Sequence, residues 1–220
     1  EASDLSNTAI NPSSVTITCS ENGIMTTLTD LARNSAPRNV AADIGRLFGE
    51  AVAKKQDTDL TALFDGFSTA VGDGTAALTA AGVFNAASTL RAAALNLNDS
   101  AVVLHPKIAF DLKANLTNTF ANPNGGDLQN EAMRSGFVGS LAGIRIFETS
   151  NIANTGNAGD YKGAAFHRDA LALAEMQGLK IETQRDASLR ADEIVATSVY
   201  GVGEIHDSYG VEIHMDSSIQ

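Results

Sequence analysis

Two short segments near the end of the chain repeat a pattern of side chains that could bind a metal ion. Glu204-Ile-His206 is followed, after the turn-like Ser208-Tyr-Gly210, by Glu212-Ile-His214. If the turn reverses the chain, Glu204 falls opposite His214 and His206 opposite Glu212, so all four side chains share one face. Glutamate and histidine are ligands of divalent cations in proteins. The spacing therefore defines one candidate metal cluster.

Two other interpretations explain the same residues. Strict alternation predicts a hairpin with one polar face and one apolar face, and no metal is needed for it. A pH-sensitive contact between subunits is a third interpretation, because histidine titrates near neutrality. We favour the plain hairpin and predict no metal site, and the alternative metal site is the cluster Glu204, His206, Glu212 and His214.

The other potentially reactive side chains have no activating or catalytic partner near them in the sequence. Cys19 is the only cysteine, so it cannot form an intrachain disulfide, and no histidine or basic residue lies near it to activate the thiol. His105 precedes Pro106, which predicts a strand-to-helix junction. His167 lies beside Arg168, which predicts an exposed helix start. No Gly-x-Ser-x-Gly elbow accompanies either histidine.

The glycine-rich and acidic motifs also fall short of a cofactor site. Gly201-Val-Gly203 lacks the third glycine of a dinucleotide fingerprint. Asp57 and Asp59 begin a calcium-loop pattern whose glycine and final glutamate are missing. Asp73-Gly-Thr75 and Asn124-Gly-Gly126 are typical of turns. We therefore predict no catalytic residue and no cofactor, and we expect that the protein is not an enzyme.

Composition narrows the range of partners. The 220 residues carry a net charge of -11, and the first and last basic residues are Arg33 and Arg190. Sequence-specific nucleic-acid binding needs a Lys/Arg surface, so it is not expected here. No apolar run reaches membrane length, and we expect no membrane contact. Aromatic residues make up 5% with no Trp, so the core gains less apolar burial per residue.

Helical periodicity is strongest over Asn39–Lys55. Asn39 is a predicted N-cap, and Val40, Ile44, Leu47, Phe48, Ala51 and Val52 follow at helical spacing. A second helix is predicted from Thr79 to Leu95. Pro106 suits the first turn of a third helix. Asp169–Met176 is also predicted to be helical.

Alternating or continuous apolar residues predict the strands. Val15–Cys19 alternates and is followed by a predicted turn over Ser20–Gly23. Ala101–Leu104 is a short buried run. Leu141–Phe147 and Gly163–Phe166 are further predicted strands. From Leu179 onward the period is two, which predicts strands over Lys180–Gln184, Glu193–Tyr200, Val202–His206 and Val211–Met215.

In this order the segments resemble the major capsid proteins of tailed bacteriophages, the Hong Kong 97-type coat fold. The helix Asn39–Lys55 with its exit Gln56-Asp-Thr-Asp59 resembles the long spine helix of that family. Ala101–Pro106 and the following helix resemble a strand-Pro-helix unit of the axial domain. Ser140–Thr149 followed by Ala164–Ala170 resembles the later axial strand and helix. The tail Arg185–Ile213, with Tyr200-Gly201, resembles the closing strands of the peripheral domain.

The resemblance implies an α+β fold with a long spine helix and three regions. Residues 1–35 would form an extended loop, and the chain starts inside a polar stretch without Met, so we expect an upstream N-terminal arm to be absent. Residues 36–74 and 176–220 would form a peripheral β-rich domain with the spine helix. Residues 75–175 would form an axial α/β domain.

The implied function is structural. Such a chain would assemble with copies of itself, through pentamers and hexamers, into an icosahedral shell that encloses double-stranded DNA without sequence-specific contact. Scaffolding, portal and decoration proteins are the further partners, and the virion capsid, assembled in the host cytoplasm, is the location. The alternatives are an encapsulin-like nanocompartment shell, a flagellin-type filament protein and a small α/β metal-dependent enzyme.

Overall fold

The computed structural model describes residues 14–35, 39–120, 139–155 and 159–219. Their helices are α1 (Asp30–Ser35), α2 (Val40–Ala62), α3 (Ala80–Ala92) and α4 (Pro106–Phe120), with short 3-10 helices at Leu63–Gly66, Leu97–Asp99 and Asp207–Tyr209. Their strands are β1 (Ser20–Thr29), β2 (Ala70–Val71), β3 (Ser100–Leu104), β4 (Ser140–Leu141), β5 (Ile144–Glu148), β6 (Asp160–His167), β7 (Leu171–Asp186), β8 (Ala191–Glu204) and β9 (Gly210–Asp216). None of these helices combines the length and apolarity that a bilayer crossing requires.

The described strands form two separate sheets. A three-stranded antiparallel sheet has the order β1-β8-β7, and a six-stranded mixed sheet has the order β2-β9-β6-β3-β5-β4. Strand β3 runs parallel to β5 and antiparallel to β6. The chain therefore has an α+β architecture in which the final strands divide between the two sheets.

Helix α2 confirms the predicted amphipathic helix and extends it. The Asn39 side chain accepts a hydrogen bond from the Ala42 backbone N–H at 3.4 Å, which caps the helix as predicted. Phe48 is 4% exposed and packs with Leu28, Ile194 and Ala196 of the three-stranded sheet. The helix continues through the predicted exit to Ala62, because Lys55 and Asp59 form an i,i+4 ion pair across that turn.

The larger core lies between the six-stranded sheet and helices α3 and α4. Val102 and Leu104 of β3 are fully buried, as are Leu90 of α3 and Leu112 of α4. Pro106 begins α4 as predicted, where its missing N–H removes no helical bond. Helix α3 begins at Ala80 without a cap bond from the Thr79 side chain, and the Asn115 side chain of α4 accepts a hydrogen bond from the Ala80 N–H at 3.1 Å.

Three predictions near the three-stranded sheet are wrong. The alternating segment Val15–Cys19 is not a strand, and the predicted turn Ser20–Gly23 is part of β1. The predicted helix over Asp169–Met176 is instead a turn and the beginning of β7. Both β1 and β7 pair with β8 along most of their length. Pairing with this distant strand decides the structure, because the spacing of a short apolar run is compatible with both a helix and a strand.

Some sequence-based predictions lie outside the described residues. The predicted turn at Asn124-Gly-Gly126 lies among them. The same holds for residues 1–13 of the expected extended loop.

Replacement of the N-cap residue tests the start of α2. Asn39→Ala removes the acceptor of the Ala42 N–H and should lower the free energy of unfolding by about 1 kcal/mol. Urea denaturation followed by circular dichroism measures the change. Asn39→Asp keeps a capping oxygen, so it should retain wild-type stability; an equal loss in both variants would show that the side chain does not act as a cap.

Candidate assembly surfaces and charged clusters

The four side chains of the predicted glutamate–histidine cluster are divided between two sheets. Glu204 ends β8 opposite Leu171 of β7, whereas His214 lies in β9 opposite Lys162 of β6. Asp207–Tyr209 carries the chain from one sheet to the other, so the predicted hairpin is wrong. The alternation of polar and apolar residues in β8 and in β9 therefore arises from pairing with different partner strands. Among the described residues, no three His, Cys, Asp or Glu side chains are grouped so that they could hold a metal ion.

Glu204 and its neighbours fasten the connection between β8 and β9. Burial, and then the negative charge of Asp207, raise the pKa of Glu204. Asp207 accepts hydrogen bonds from the Ser68 hydroxyl and from the Ser68 N–H at 2.7 Å, and these bonds hold the pKa of Asp207 below its usual range. The His206 ring packs against Tyr209, with ring centroids 4.8 Å apart. This cluster joins the chain leaving β8 to the chain entering β2.

Glu212 and His214 belong to a compensated row of charges between β6 and β9. Glu212 and Asp160 are 6% and 5% exposed. Lys162 lies 3.2 Å from Glu212 and also pairs with Asp65, and these two bonds, the Asp65 bond foremost, raise the pKa of Lys162. His214 Nε2 lies 2.8 Å from Asp160 Oδ1, and its Nδ1 lies 4.0 Å from Glu212 Oε1. Each of these two buried carboxylates therefore has a nitrogen-bearing side chain beside it, Lys162 for Glu212 and His214 for Asp160.

A glycine loop closes over this row. Gly74 has φ 74°, and a Cβ there would come within 2.6 Å of His214 Nε2 and 2.7 Å of Asp160 Oδ1. Asp73 Oδ1 accepts hydrogen bonds from the Thr75 N–H at 3.1 Å and the Thr75 hydroxyl at 2.6 Å. The predicted turn at Asp73-Gly-Thr75 is thus confirmed.

The two remaining histidines have structural surroundings. The His105 ring stacks on Tyr161 with centroids 3.7 Å apart and planes 4° apart. Burial, followed by the charge of Lys107, lowers the pKa of His105. His167 is 7% exposed at the end of β6, where its Nδ1 accepts a hydrogen bond from the Asp169 N–H at 3.3 Å. The prediction of an exposed helix start at His167 is therefore wrong, because β6 pairs through this residue.

The C-terminal half of α2 contacts both sheets, a role that no sequence pattern in this helix indicates. Tyr200 of β8 donates a hydrogen bond to Asp59 Oδ2 at 2.7 Å, and Lys55 Nζ lies 2.5 Å from Asp59 Oδ1. Burial raises the pKa of Asp59, but the bonds from Lys55 and Tyr200 outweigh burial and lower it overall. Asp59 therefore anchors α2 to the three-stranded sheet.

Asp57 makes the matching contact with the other sheet. Its Oδ2 accepts hydrogen bonds from Asn151 Nδ2 at 2.9 Å and from the Thr149 hydroxyl at 3.3 Å, both just after β5. The Thr61 hydroxyl adds a bond to the Asn151 carbonyl at 3.4 Å. The two aspartates that resembled the start of a calcium loop therefore act separately. No local signal distinguishes them, because the partners that join them to the two sheets lie more than 90 residues away.

The glycine pair Gly201 and Gly203 permits a close crossing of two chain segments. A Cβ on Gly201 would lie 2.5 Å from the Thr18 carbonyl oxygen, and one on Gly203 would lie 2.8 Å from the Ile17 side chain. Residues just before β1 thus cross directly over β8. This contact explains the Gly-Val-Gly motif without a nucleotide.

The surface that could bind other chains is richest on the three-stranded sheet. More than half of the large apolar side chains that are exposed in the described residues lie on this sheet or at its ends. They are Ile24, Met25, Leu31, Leu173, Met176, Leu179, Ile181 and Leu189. Leu31 and Met176 are 80% and 81% exposed. Apolar surface of this extent is typical of protein–protein contact regions.

Removal of one hydroxyl tests the contact between α2 and β8. Tyr200→Phe should lower the free energy of unfolding at pH 7 by about 1–3 kcal/mol, because the charged Asp59 loses a buried donor. Burial, followed by the bond to Asp59, raises the pKa of Tyr200 from 10.0 to about 12. As the pH rises, the unfolded chain loses the Tyr200 hydroxyl proton before the folded chain does. The contribution of this hydroxyl to the free energy of unfolding is therefore complete below pH 10 and falls as the pH rises to about 12.

Chemical denaturation at several pH values between 7 and 12 measures both effects. The variant Tyr200→Phe should lack the part of the alkaline loss that comes from Tyr200. Tyr209→Phe is the matched control, since the Tyr209 hydroxyl has no hydrogen-bond partner among the described residues. A Tyr200→Phe protein that matches this control at every pH would contradict the contact.

Comparisons with known proteins agree on one family. A model of the phage capsid protein family matches residues 14–211. The structure of Mycobacterium phage Che8 shares 25% identity over 88% of this chain and 70% of that chain, with a TM-score of 0.74. The capsid of cyanophage P-SCSP1u shares 18% identity over 97% of this chain and 81% of that chain, with a TM-score of 0.72.

An encapsulin has a similar fold. The holo-SrpI encapsulin complex of Synechococcus elongatus PCC 7942 shares 12% identity over 91% of this chain and 75% of that chain, with a TM-score of 0.68. No curated protein matches the chain. The two-sheet α+β architecture, the long helix between the sheets and the match over residues 14–211 lead to one conclusion: the chain belongs to the phage capsid protein family and has the Hong Kong 97-type fold of a shell-forming structural protein.

Proposed function

We propose that the chain is the major capsid protein of a tailed bacteriophage and assembles through pentamers and hexamers into an icosahedral shell around double-stranded DNA. The observation that carries the proposal is the family match over residues 14–211. A surface feature supports it, since the exposed apolar side chains concentrate on the three-stranded sheet. Copies of the chain would cover this surface in the shell.

The two sheets suggest how one subunit fits several environments. In this proposal the peripheral domain consists of β1, α2, β7 and β8, and the axial domain contains the six-stranded sheet with α3 and α4. The division expected from the resemblance, with 36–74 and 176–220 as peripheral domain and 75–175 as axial domain, stays a prediction; β2 and β9 pair within the six-stranded sheet. The extended loop expected over residues 1–35 likewise stays a prediction, and within that range Ser20–Thr29 pairs with β8. Flexible loops on a rigid two-sheet frame would adapt the subunit to rings of different size.

The charge pattern fits a container for DNA rather than a specific DNA-binding protein. The net charge is -11, and many basic side chains in the described ranges are held by carboxylates. These include Arg33, Arg46, Lys55, Lys113, Lys162 and Arg185. Cations that are already paired release few counterions from phosphate, so contact with packaged DNA would be weak and non-specific.

A nanocompartment shell is the second candidate, and the likeness to the encapsulin of Synechococcus elongatus favours it. Such a shell would have the same fold and a protein cargo instead of a genome. A metal-dependent enzyme is the least supported alternative, because the described residues offer no metal-binding group. The proposed partners beyond other copies are scaffolding, portal and decoration proteins, with assembly in the host cytoplasm and residence in the virion capsid.

Purified full-length protein should form closed particles tens of nanometres across or stable five- and six-membered rings. Light scattering followed by negative-stain electron microscopy detects both forms. Particles from phage-infected cells should contain nuclease-protected double-stranded DNA. A protein cargo found by mass spectrometry would indicate the encapsulin alternative. A chain that stays monomeric or dimeric across salt and pH would contradict assembly as its function.

A further inference from the structure

Helix α1 lacks the packing that holds the other described helices. It spans six residues, Asp30–Ser35, and none of them is buried. Helices α2, α3 and α4 each bury apolar side chains in one of the two cores. A helix shorter than about 12 residues is marginal in water without such packing. An interaction other than apolar burial therefore keeps α1 folded.

Four charged side chains join α1 to the end of the three-stranded sheet, and we call them the ionic clasp. Asp30 and Arg33 belong to α1, Arg185 to β7 and Asp192 to β8. Arg185 donates two parallel hydrogen bonds to Asp30, at 2.6 and 2.7 Å, and a third bond to Asp192 at 3.2 Å. Arg33 pairs with Asp192 as well. The clasp is therefore one continuous network in which negative and positive charges alternate.

The geometry of the clasp is of the kind that stabilises structure at a protein surface. Isolated exposed ion pairs contribute little, whereas bidentate arginine–carboxylate pairs and charge networks contribute more. The bond from Arg185 foremost holds the pKa of Asp30 below its usual range, and the bonds from Arg33 and then Arg185 do the same for the pKa of Asp192. The folded chain thus favours the charged carboxylates that the clasp needs.

The hairpin turn beside α1 has support of its own. Asp186 Oδ1 accepts hydrogen bonds from the Ser188 N–H at 2.8 Å, the Ser188 hydroxyl at 2.6 Å and the Leu189 N–H at 3.2 Å. One backbone bond, from the Asp30 N–H to the Arg190 carbonyl at 3.0 Å, joins this turn to α1. Loss of the clasp should therefore loosen α1 and leave the turn between β7 and β8 in place.

We propose that α1 is an order–disorder element that stays helical only while the ionic clasp is closed. High salt, or loss of one of the four charges, unfolds α1 while β1 remains paired with β8. Six residues span about 9 Å as a helix and about 20 Å when fully extended. The connection between β1 and α2 therefore gains about 10 Å of slack when the clasp opens.

The clasp thereby controls the position of an exposed apolar side chain. Leu31 lies on α1 and is 80% exposed. With the clasp closed, Leu31 has a fixed place at the end of the three-stranded sheet. With the clasp open, Leu31 moves with a free linker. The inference concerns the single chain and does not depend on the proposed shell function.

A matched pair of β7 variants tests the proposal on the full-length chain, below the concentration at which shells form. Arg185→Gln removes three hydrogen bonds of the clasp. Lys180→Gln removes one cation from the same strand, where Lys180 pairs with Glu182 instead. At low salt the α1 amides of Arg185→Gln should exchange hydrogen several-fold faster than those of the wild type, whereas Lys180→Gln should match the wild type. Mass spectrometry of peptides measures the exchange.

Salt and a conservative variant give two further readouts. The α1 amides of the wild type should exchange several-fold faster in about 1 M than in about 0.1 M sodium chloride, because the Debye length falls from about 10 Å to about 3 Å. Arg185→Gln should respond much less to salt. Arg185→Lys keeps the charge without the two parallel bonds, so its exchange rate should be intermediate. Arg33→Gln, which alters α1 itself, replaces Arg185→Gln if the latter does not fold.

The effect must also be local. The amides of β1 and of the turn at Asp186–Arg190 should keep their exchange rates, and the urea midpoint should change little, because α1 buries no residue. Equal α1 exchange in Arg185→Gln and Lys180→Gln, or in the wild type at both salt concentrations, would overturn the proposal. Faster exchange throughout both sheets of Arg185→Gln would overturn it too, because the clasp would then support the whole fold.

Discussion

The relative position of the two sheets depends on the C-terminal half of α2. Asp59 receives the Tyr200 hydroxyl of the three-stranded sheet, and Asp57 receives Asn151 and Thr149 beside the six-stranded sheet. The sheets share no strand pairing among the described residues. Two carboxylates two positions apart on one helix therefore bond to both sheets, in addition to the bonds of Ser68 to Asp207 between β8 and β9. A capsid subunit needs such a frame, because each subunit must present its contact surfaces at a defined angle.

The helices and strands that could be predicted from the sequence are those determined by residues close to one another in the chain. The spacing of apolar residues and the Asn39 cap were sufficient for α2, and a short apolar run before Pro106 was sufficient for β3 and α4. The family resemblance, carried by the order of these segments, was confirmed by the match over residues 14–211. Such local signals predict structure correctly because helix capping, proline geometry and amphipathic packing depend on residues only a few positions apart.

The errors arose where a distant partner decides the structure. The Glu204 to His214 segment alternates like a hairpin, yet β8 pairs with β1 and β7 while β9 pairs with β6 and β2. Likewise, the spacing of the apolar residues near Leu171 fits a helix, but this segment pairs with β8 and forms a strand. The hydrogen bond between Tyr200 and Asp59 joins residues 141 positions apart, and no sequence pattern near either residue indicates it. Pairing across such distances is a property of the folded chain rather than of any window of sequence.

Electron cryomicroscopy of the purified particle would show directly whether this chain builds a shell. We expect a closed icosahedral shell whose repeating unit has the two-sheet fold of this chain. In every copy α2 should lie against both sheets, and Asp57 and Asp59 should keep their partners in both pentamers and hexamers. A particle without this repeating unit, or a protein that forms no closed shell under any condition, would contradict the account.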